Sequence, residues 1–266
     1  MPRVDLEHCA NTLFCALSEA DRALLEPHLE AVELDRGQVV APLNEPIEFV
    51  HFLQRGIASI TARSPESGVT EIGVIGRDGM CGTSLLLGDD RSPHETFIQV
   101  APADALRIKA DRFIAAVEAS ATLRQIMLRY VKTLLVQAGQ CAVANARHQI
   151  EARLARWLLM CHDRTDGDEI ALTHEFMAVM IAAQRSGVTV ALHILEGTGT
   201  IRSKRNLVVI RDRARLEELA GDAYGVAEAE YRRLIGPLGS PSGEGLGLDL
   251  LTPGVRVGPA LSGPTR

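Results

Sequence analysis

The sequence has few aromatic residues and no long hydrophobic run. Phe, Trp and Tyr make up 4% of its 266 residues, so any buried core must be mostly aliphatic. No apolar run reaches the roughly 18 residues that a transmembrane helix needs, so we expect none. The N-terminus carries Asp5, Glu7 and His8 where a secretory signal needs basic and then apolar residues, which predicts a cytoplasmic protein.

Clustered cysteines and catalytic motifs are also missing. The five cysteines are scattered along the chain, and in a reducing compartment such an odd set indicates free thiols. They lack the close run that an iron–sulfur cluster needs, so we assign no metal. The sequence has no G-x-S-x-G, H-E-x-x-H or P-loop motif, and no G-x-G-x-x-G after a strand. We therefore expect a protein that is not an enzyme.

The chain does have 46% hydrophobic residues, which excludes disorder throughout, and an uneven distribution of charge. The formal net charge is −6. Residues 1–143 hold 13 basic and 19 acidic residues, whereas the window 185–215 holds seven basic and two acidic residues. An acidic front part thus precedes a locally basic part, and only the latter suits a nucleic-acid partner.

The pattern of apolar residues changes twice along the chain. Residues 12–30 have helical spacing, and residues 32–108 have short apolar runs split by Gly, Pro, Asn and Asp, which is typical of an antiparallel all-β roll or sandwich. Residues 121–147 predict a long helix without proline. One apolar stripe of this helix predicts contact with a second copy of the chain, unless it forms one wide core face in a monomer. The stripe consists of Met127, Val131, Leu134, Ala138 and Cys141.

Residues 149–220 predict a small helical domain that contains a hairpin. Helices over about 173–181 and 184–196 are followed by TIRSKRNLVVIRD, which indicates two strands with a basic turn. This order is typical of a winged helix-turn-helix. Gly187, inside the second helix, suggests a close approach to the DNA backbone. The outer face of that helix and the hairpin supply the predicted DNA-binding residues, which are Arg185, Ser186, Thr189, Val190, His193, Arg202, Lys204 and Arg205.

These parts, in this order, resemble the Crp/Fnr superfamily of bacterial transcription regulators. The resemblance covers about residues 12–220 and rests on LDRGQVVAPLNEPIEFVHFLQRGIASITARSPESGVTEIGVIGRDGMCG, on IEARLARWLLMCHDR and on LTHEFMAVMIAAQRSGVTVALHILEGTGTI. It implies an α+β fold with a cyclic-nucleotide-binding-like β-roll (an antiparallel jelly roll) at 1–120, a dimerisation helix at 121–147 and a winged helix-turn-helix at 148–220. Residues 236–266, rich in Gly, Pro and Ser, are predicted to be disordered.

The resemblance also implies an effector pocket in the roll, which this sequence matches unevenly. The family's ribose-binding glutamate is missing after Gly82, and counting back from the strand ALRIK puts Pro93 and His94 where the phosphate-binding Arg-Ser pair should stand. A buried cyclic phosphate without a guanidinium would be unpaired, so a cyclic nucleotide is disfavoured and no cofactor is assigned. The candidate pocket residues are Gly82, Thr83, Ser84, Arg91, Ser92 and His94.

The resulting hypothesis is a homodimeric DNA-binding transcription regulator whose roll senses an unidentified effector. Its expected partners are double-stranded DNA, a second copy of itself and, from the resemblance, RNA polymerase. The alternative hypothesis is an effector-binding module that contacts other proteins and does not bind DNA sequence-specifically. A complete lack of DNA binding even at low salt would favour the alternative.

Overall fold

The computed structural model describes residues 9–66 and 68–239. Its first elements are two short helices, α1 (Thr12–Cys15) and α2 (Glu19–Leu25), followed by a 3-10 turn at Glu26–His28. The Asn11 side chain accepts a hydrogen bond from the Phe14 N–H in the first turn of α1, and the Ser18 side chain accepts one from the Asp21 N–H in the first turn of α2. These two caps fix where each helix begins. The predicted helical start of the chain is therefore confirmed.

A six-stranded antiparallel sheet rolls up behind these helices. Its strands are β1 (Glu30–Leu34), β2 (Val39–Ala41), β3 (Phe49–Ser64), β4 (Gly68–Ile75), β5 (Met80–Cys81) and β6 (Glu95–Lys109). The long strands β3 and β6 pair along most of their length, and β1, β2, β4 and β5 pair with one or other of them. This sheet is the β-roll, and the α+β fold class is confirmed.

Three helices connect the β-roll to the second half of the chain. They are α3 (Ala110–Ala119), α4 (Ala121–Arg147) and α5 (Ile150–His162). The Ser120 hydroxyl accepts a hydrogen bond from the Leu123 N–H and separates α3 from α4. A small sheet and two further helices follow: β7 (Glu169–Ile170), α6 (His174–Met180), α7 (Arg185–Gly197), β8 (Ile201–Lys204) and β9 (Leu207–Ile210).

The chain continues with two helices, α8 (Arg213–Ala220) and α9 (Val226–Leu234). Helix α9 was not predicted. It packs against α4, where Lys132 forms an ion pair with Glu230 at 2.8 Å, and the Tyr231 hydroxyl donates to the Asp78 carbonyl at 2.7 Å. The predicted disordered tail begins at residue 236, and most of it, from residue 240 onward, lies outside the described residues. Leu238 packs against the core of the β-roll.

Over residues 9–66 and 68–239, no single helix is long and apolar enough to span a bilayer. Helices α6 and α7 reach that length only as a pair, and they meet at a bend of 103°.

The two faces of α4 differ from the predicted arrangement. Met127, Val131 and Cys141 are buried in the chain's own core, and Leu134 and Ala138 are half-buried. The first three are thus not available to a second copy, because the β-roll and α5 already cover that side of the helix. The opposite side of α4 is exposed and mostly apolar, although Lys132, which pairs with Glu230, lies on it. We call it the outer face of α4, and it consists of Leu128, Leu135, Gly139, Ala142, Val143 and Ala146.

Candidate nucleic-acid interface

Helix α7 is held in place by one apolar stripe. Val188, Ala191, Leu192 and Leu195 are all buried, as their spacing of three and four residues predicts. The preceding helix α6 begins where Thr173 accepts a hydrogen bond from the Phe176 N–H at 3.2 Å and so caps the helix. A turn of four residues separates α6 from α7, so the two helices form the predicted helix-turn-helix.

The opposite side of α7 is open to solvent. Arg185, Ser186, Val190 and His193 are exposed, as predicted from their positions. Thr189 is half-buried, because its hydroxyl donates to the Arg185 carbonyl at 3.0 Å and lies 3.2 Å from the His174 ring. The structure therefore brings four of the five predicted α7 residues onto one accessible surface.

The hairpin β8–β9 stands beside this surface and carries the remaining basic residues. Arg202, Lys204 and Arg205 are all exposed, and the turn between the strands contains Asn206 at a φ of 58°. The Ser203 N–H donates to the Glu196 carboxylate at 3.1 Å, which ties the hairpin to the end of α7. In the part of the chain that the structure describes, none of these three cations forms a salt bridge, so all are free to meet an anion.

Gly187 has a different role from the predicted one. It lies on the inner side of α7, where a Cβ atom would come within 2.9 Å of the Ile150 side chain. The glycine therefore allows α7 to pack closely on α5, and its position gives no reason for a contact with DNA.

One exposed residue of α7 was missed. Ile194 is 45% exposed and lies one turn beyond Val190, which is 56% exposed. The two form a small apolar spot on an otherwise polar surface, and the spacing of four residues in the sequence could have shown it. Such a spot suits thymine methyl groups in a major groove.

The candidate effector residues of the β-roll lie in two places. Gly82 adopts a left-handed φ of 99° and precedes a 3-10 turn, Thr83–Leu87, which contains Ser84. Arg91 and Ser92 lie further along the chain, where the exposed Arg91 side chain donates to the Asn44 carbonyl at 3.0 Å. The half-buried His94 donates its backbone N–H to the Ser92 hydroxyl, and its Nδ1 atom has no hydrogen-bond partner within residues 9–66 and 68–239. Two small cavities elsewhere in the described residues, each of about 10 Å³, are lined by none of these candidates.

The comparisons with known proteins agree with this geometry. A family model described as the Crp-like helix-turn-helix domain matches residues 152–219. No curated protein sequence matches the chain.

Among solved structures, the chain is similar to FixK2 from Bradyrhizobium japonicum, with 16% identity, a TM-score of 0.62, and coverage of 73% of this chain and 98% of that one. It is also similar to the c-di-GMP-responsive global regulator CLP from Xanthomonas campestris, with 14% identity, a TM-score of 0.58, and coverage of 73% and 99%. A CRP-family transcriptional regulator from Thermus thermophilus has 17% identity and a TM-score of 0.59, with coverage of 71% and 96%. Residues 152–219 thus match a Crp-like helix-turn-helix domain, and the chain has the fold of these solved regulators.

Proposed function

We propose that the protein is a cytoplasmic, homodimeric transcription regulator that binds double-stranded DNA and responds to an effector. The observation that carries the proposal is the exposed polar side of α7 beside the free cations of β8–β9. A helix with this profile fits a major groove, where Arg185 can donate two hydrogen bonds to a guanine or clamp a phosphate. Arg202, Lys204 and Arg205 would neutralise backbone charge without reading sequence. RNA polymerase is the expected protein partner.

The outer face of α4 is the surface that we propose for dimerisation. Leu135 is 68% exposed, and Gly139 has no atom within 4 Å of where a Cβ would stand, so a second helix can approach closely there. A dimer across this face would carry two copies of α7. DNA half-sites about 34 Å apart, one helical turn, would then be the natural target.

The effector of the proposed regulator is not a cyclic nucleotide bound in the usual way. The one arginine among the candidate pocket residues, Arg91, is exposed and is engaged with Asn44 and Asp90. A cyclic phosphate in the interior of the β-roll would therefore have no buried guanidinium to pair with. An effector could act only by binding two arrangements of the domains with different affinities.

DNA binding is tested with Arg185→Ala in a mobility-shift selection from random DNA. We expect sequence-selective binding by the wild type and a loss of about 1–3 kcal/mol of binding free energy in the variant. Arg112→Ala is the matched control, because it removes the same charge from an exposed site on α3. Unchanged selectivity in Arg185→Ala would refute its role. Failure of the wild type to bind any DNA at low salt would refute the proposed function in favour of a protein-interaction module.

Dimerisation is tested with Leu135→Arg, measured by sedimentation of the full chain. A dimeric wild type and a monomeric variant are expected, since two charges would be buried against each other. Leu87→Arg is the matched control, because Leu87 is 67% exposed on the β-roll and lies outside the outer face of α4. A variant that stays dimeric would place the contact elsewhere.

A further inference from the structure

A carboxyl group is buried between the β-roll and the DNA-binding half of the chain. Glu71 of β4 is 3% exposed. Its Oε1 atom accepts a hydrogen bond from the indole Nε1 of Trp157, in α5, at 2.8 Å. Its Oε2 atom lies 2.6 Å from the Ser59 hydroxyl of β3. The acid therefore joins two strands of the β-roll to the helix that leads into the helix-turn-helix.

No cation neutralises this acid. In the described residues, Glu71 forms no salt bridge, although several ionisable groups face it from α4 and α5. Arg164 is occupied by Asp78, and Arg156 donates to the Cys141 thiol at 3.4 Å instead. The ionisable groups that face Glu71 or its neighbours are Arg153, Arg156, Arg164 and Cys161 from the α5 side, Cys141 from α4, and Glu228 of α9, which acts on Arg156 and Cys141.

The hydrogen bonds around Ser59 can be completed in two ways, one for each protonation state of Glu71. The Ser59 hydroxyl has one proton but lies beside two acceptor atoms, Oε2 of Glu71 and Oε1 of Gln99. A protonated Glu71 resolves this, because its Oε2–H donates to Ser59, which then donates to Gln99. An ionised Glu71 needs the Ser59 proton for itself, and Gln99 must then turn its amide so that Nε2 donates to Ser59. The Gln99 Nε2 atom has no partner in the arrangement described.

Burial raises the pKa of Glu71 to about 7, against the hydrogen bonds from Ser59 and Trp157 and the charge of Arg156, which act to lower it. When the two domains separate, water reaches the carboxyl and its pKa returns to the ordinary range of an exposed glutamate. The closed contact thus binds the proton more tightly than the open one. By linkage, its stability is complete at acid pH and falls as the pH rises through about 7.

We infer that Glu71 makes the contact between the β-roll and α5 proton-dependent. The neutral acid holds Trp157 and Ser59 together, and its ionisation loosens the contact or draws Arg156 away from Cys141. A water-sized cavity of about 10 Å³, lined by Glu71, Arg153 and Arg156 among others, lies beside the acid. The inference concerns the contact between the domains and does not depend on which DNA, if any, the protein binds.

Trp157 makes this contact directly measurable, because it is the only tryptophan in the chain. We expect the fluorescence of the full-length protein to titrate with a midpoint near pH 7 and to shift to longer wavelength as the pH rises. Between about pH 5 and pH 7 the equilibrium constant for closing the contact should fall by up to about 100-fold. In Glu71→Gln, the amide accepts from Trp157 and donates to Ser59 as the neutral acid does, so the fluorescence should not titrate.

Two controls keep the result specific. Glu228→Gln removes the other buried carboxyl near Arg156 and should keep the titration. Glu71→Gln should melt at the same temperature as the wild type near pH 5 and at a higher temperature near pH 8, which also shows that it folds. A wild-type signal that is flat between about pH 5.5 and 8.5, or an unchanged titration in Glu71→Gln, would overturn the inference.

Discussion

Two carboxyl groups of the β-roll reach the α5 side of the helix-turn-helix half, and the groups that surround them differ in one respect. Asp78 accepts two hydrogen bonds from the Arg164 guanidinium, at 3.0 and 2.6 Å, and both side chains are almost completely buried. Glu71 receives hydrogen bonds from Ser59 and Trp157 but has no cationic partner in the described chain. We call these the Asp78–Arg164 contact and the Glu71–Trp157 contact.

The difference lies in how each contact meets the cost of desolvation. A buried charge is tolerated when an opposite charge and well-placed hydrogen bonds compensate it, as they do for Asp78. A buried acid that lacks a cation becomes neutral instead, so its hold on the neighbouring domain varies with pH. The Asp78–Arg164 contact, which we call the anchor, therefore holds the two domains together through a compensated ion pair. The strength of the Glu71–Trp157 contact, which we call the adjustable contact, depends instead on whether Glu71 is protonated. The anchor is reinforced by Arg77, which donates to the Thr165 carbonyl and pairs with Asp166.

The largest expected effect comes from breaking the anchor with Arg164→Ala. The variant leaves the Asp78 carboxylate buried without a cation, with only the Gly76 N–H still donating to it, which costs about 3–5 kcal/mol of unfolding free energy. Urea unfolding followed by Trp157 fluorescence measures it. The control is Arg63→Ala, which removes an exposed ion pair with Glu95 and should cost less than about 1 kcal/mol. Equal costs in the two variants would show that burial of the Asp78–Arg164 contact contributes nothing.

A smaller loss is expected when the anchor is displaced but not broken. Gly76 lies so close to Arg164 that a Cβ atom would stand 2.6 Å from the Arg164 Cβ. Gly76→Ala should push the arginine away from Asp78 and cost about 1–3 kcal/mol, the usual range for overpacking. Gly197→Ala is the control, because nothing lies within 4 Å of the added atom. A melting temperature that is unchanged in Gly76→Ala would mean that the turn before β5 can move freely.

The helix-turn-helix could be predicted because its signals are local. The buried residues Val188, Leu192 and Leu195 recur at helical spacing, and Thr173 caps α6 three residues before its hydrogen-bond partner. A sequence of that kind determines both the helix and the side that faces outward. The apolar stripe of α4 is also visible in the local sequence, but the surface against which it packs is not. Whether Met127 meets its own chain or another depends on the fold as a whole, and here it meets its own.

The contacts between the domains could not be predicted for the same reason. Glu71 and Trp157 are 86 positions apart, and neither residue carries a motif that names the other. Helix α9 was not predicted because it is short and rich in charged residues. Its Tyr231 hydroxyl donates to the carbonyl of Asp78, 153 positions earlier, which no local pattern indicates. Gly187 shows the opposite error. Its position in α7 suggested a contact with DNA, whereas the Ile150 side chain packed against the inner side of α7 explains the glycine.

The smallest expected effect is also the most specific, because it changes the adjustable contact and leaves the anchor alone. The Ser59 hydrogen bond favours the ionised form of Glu71, so Ser59→Ala should raise the pKa of Glu71 above its value of about 7. One hydrogen bond is worth about 1 kcal/mol, which corresponds to less than about one pH unit in the midpoint of the Trp157 titration. Thr61→Val is the control, because Thr61 is buried on the same strand and its hydroxyl donates to the Glu95 carbonyl instead. A midpoint that moves to lower pH in Ser59→Ala, or that moves equally in both variants, would show that the Ser59 hydroxyl does not stabilise the carboxylate of Glu71.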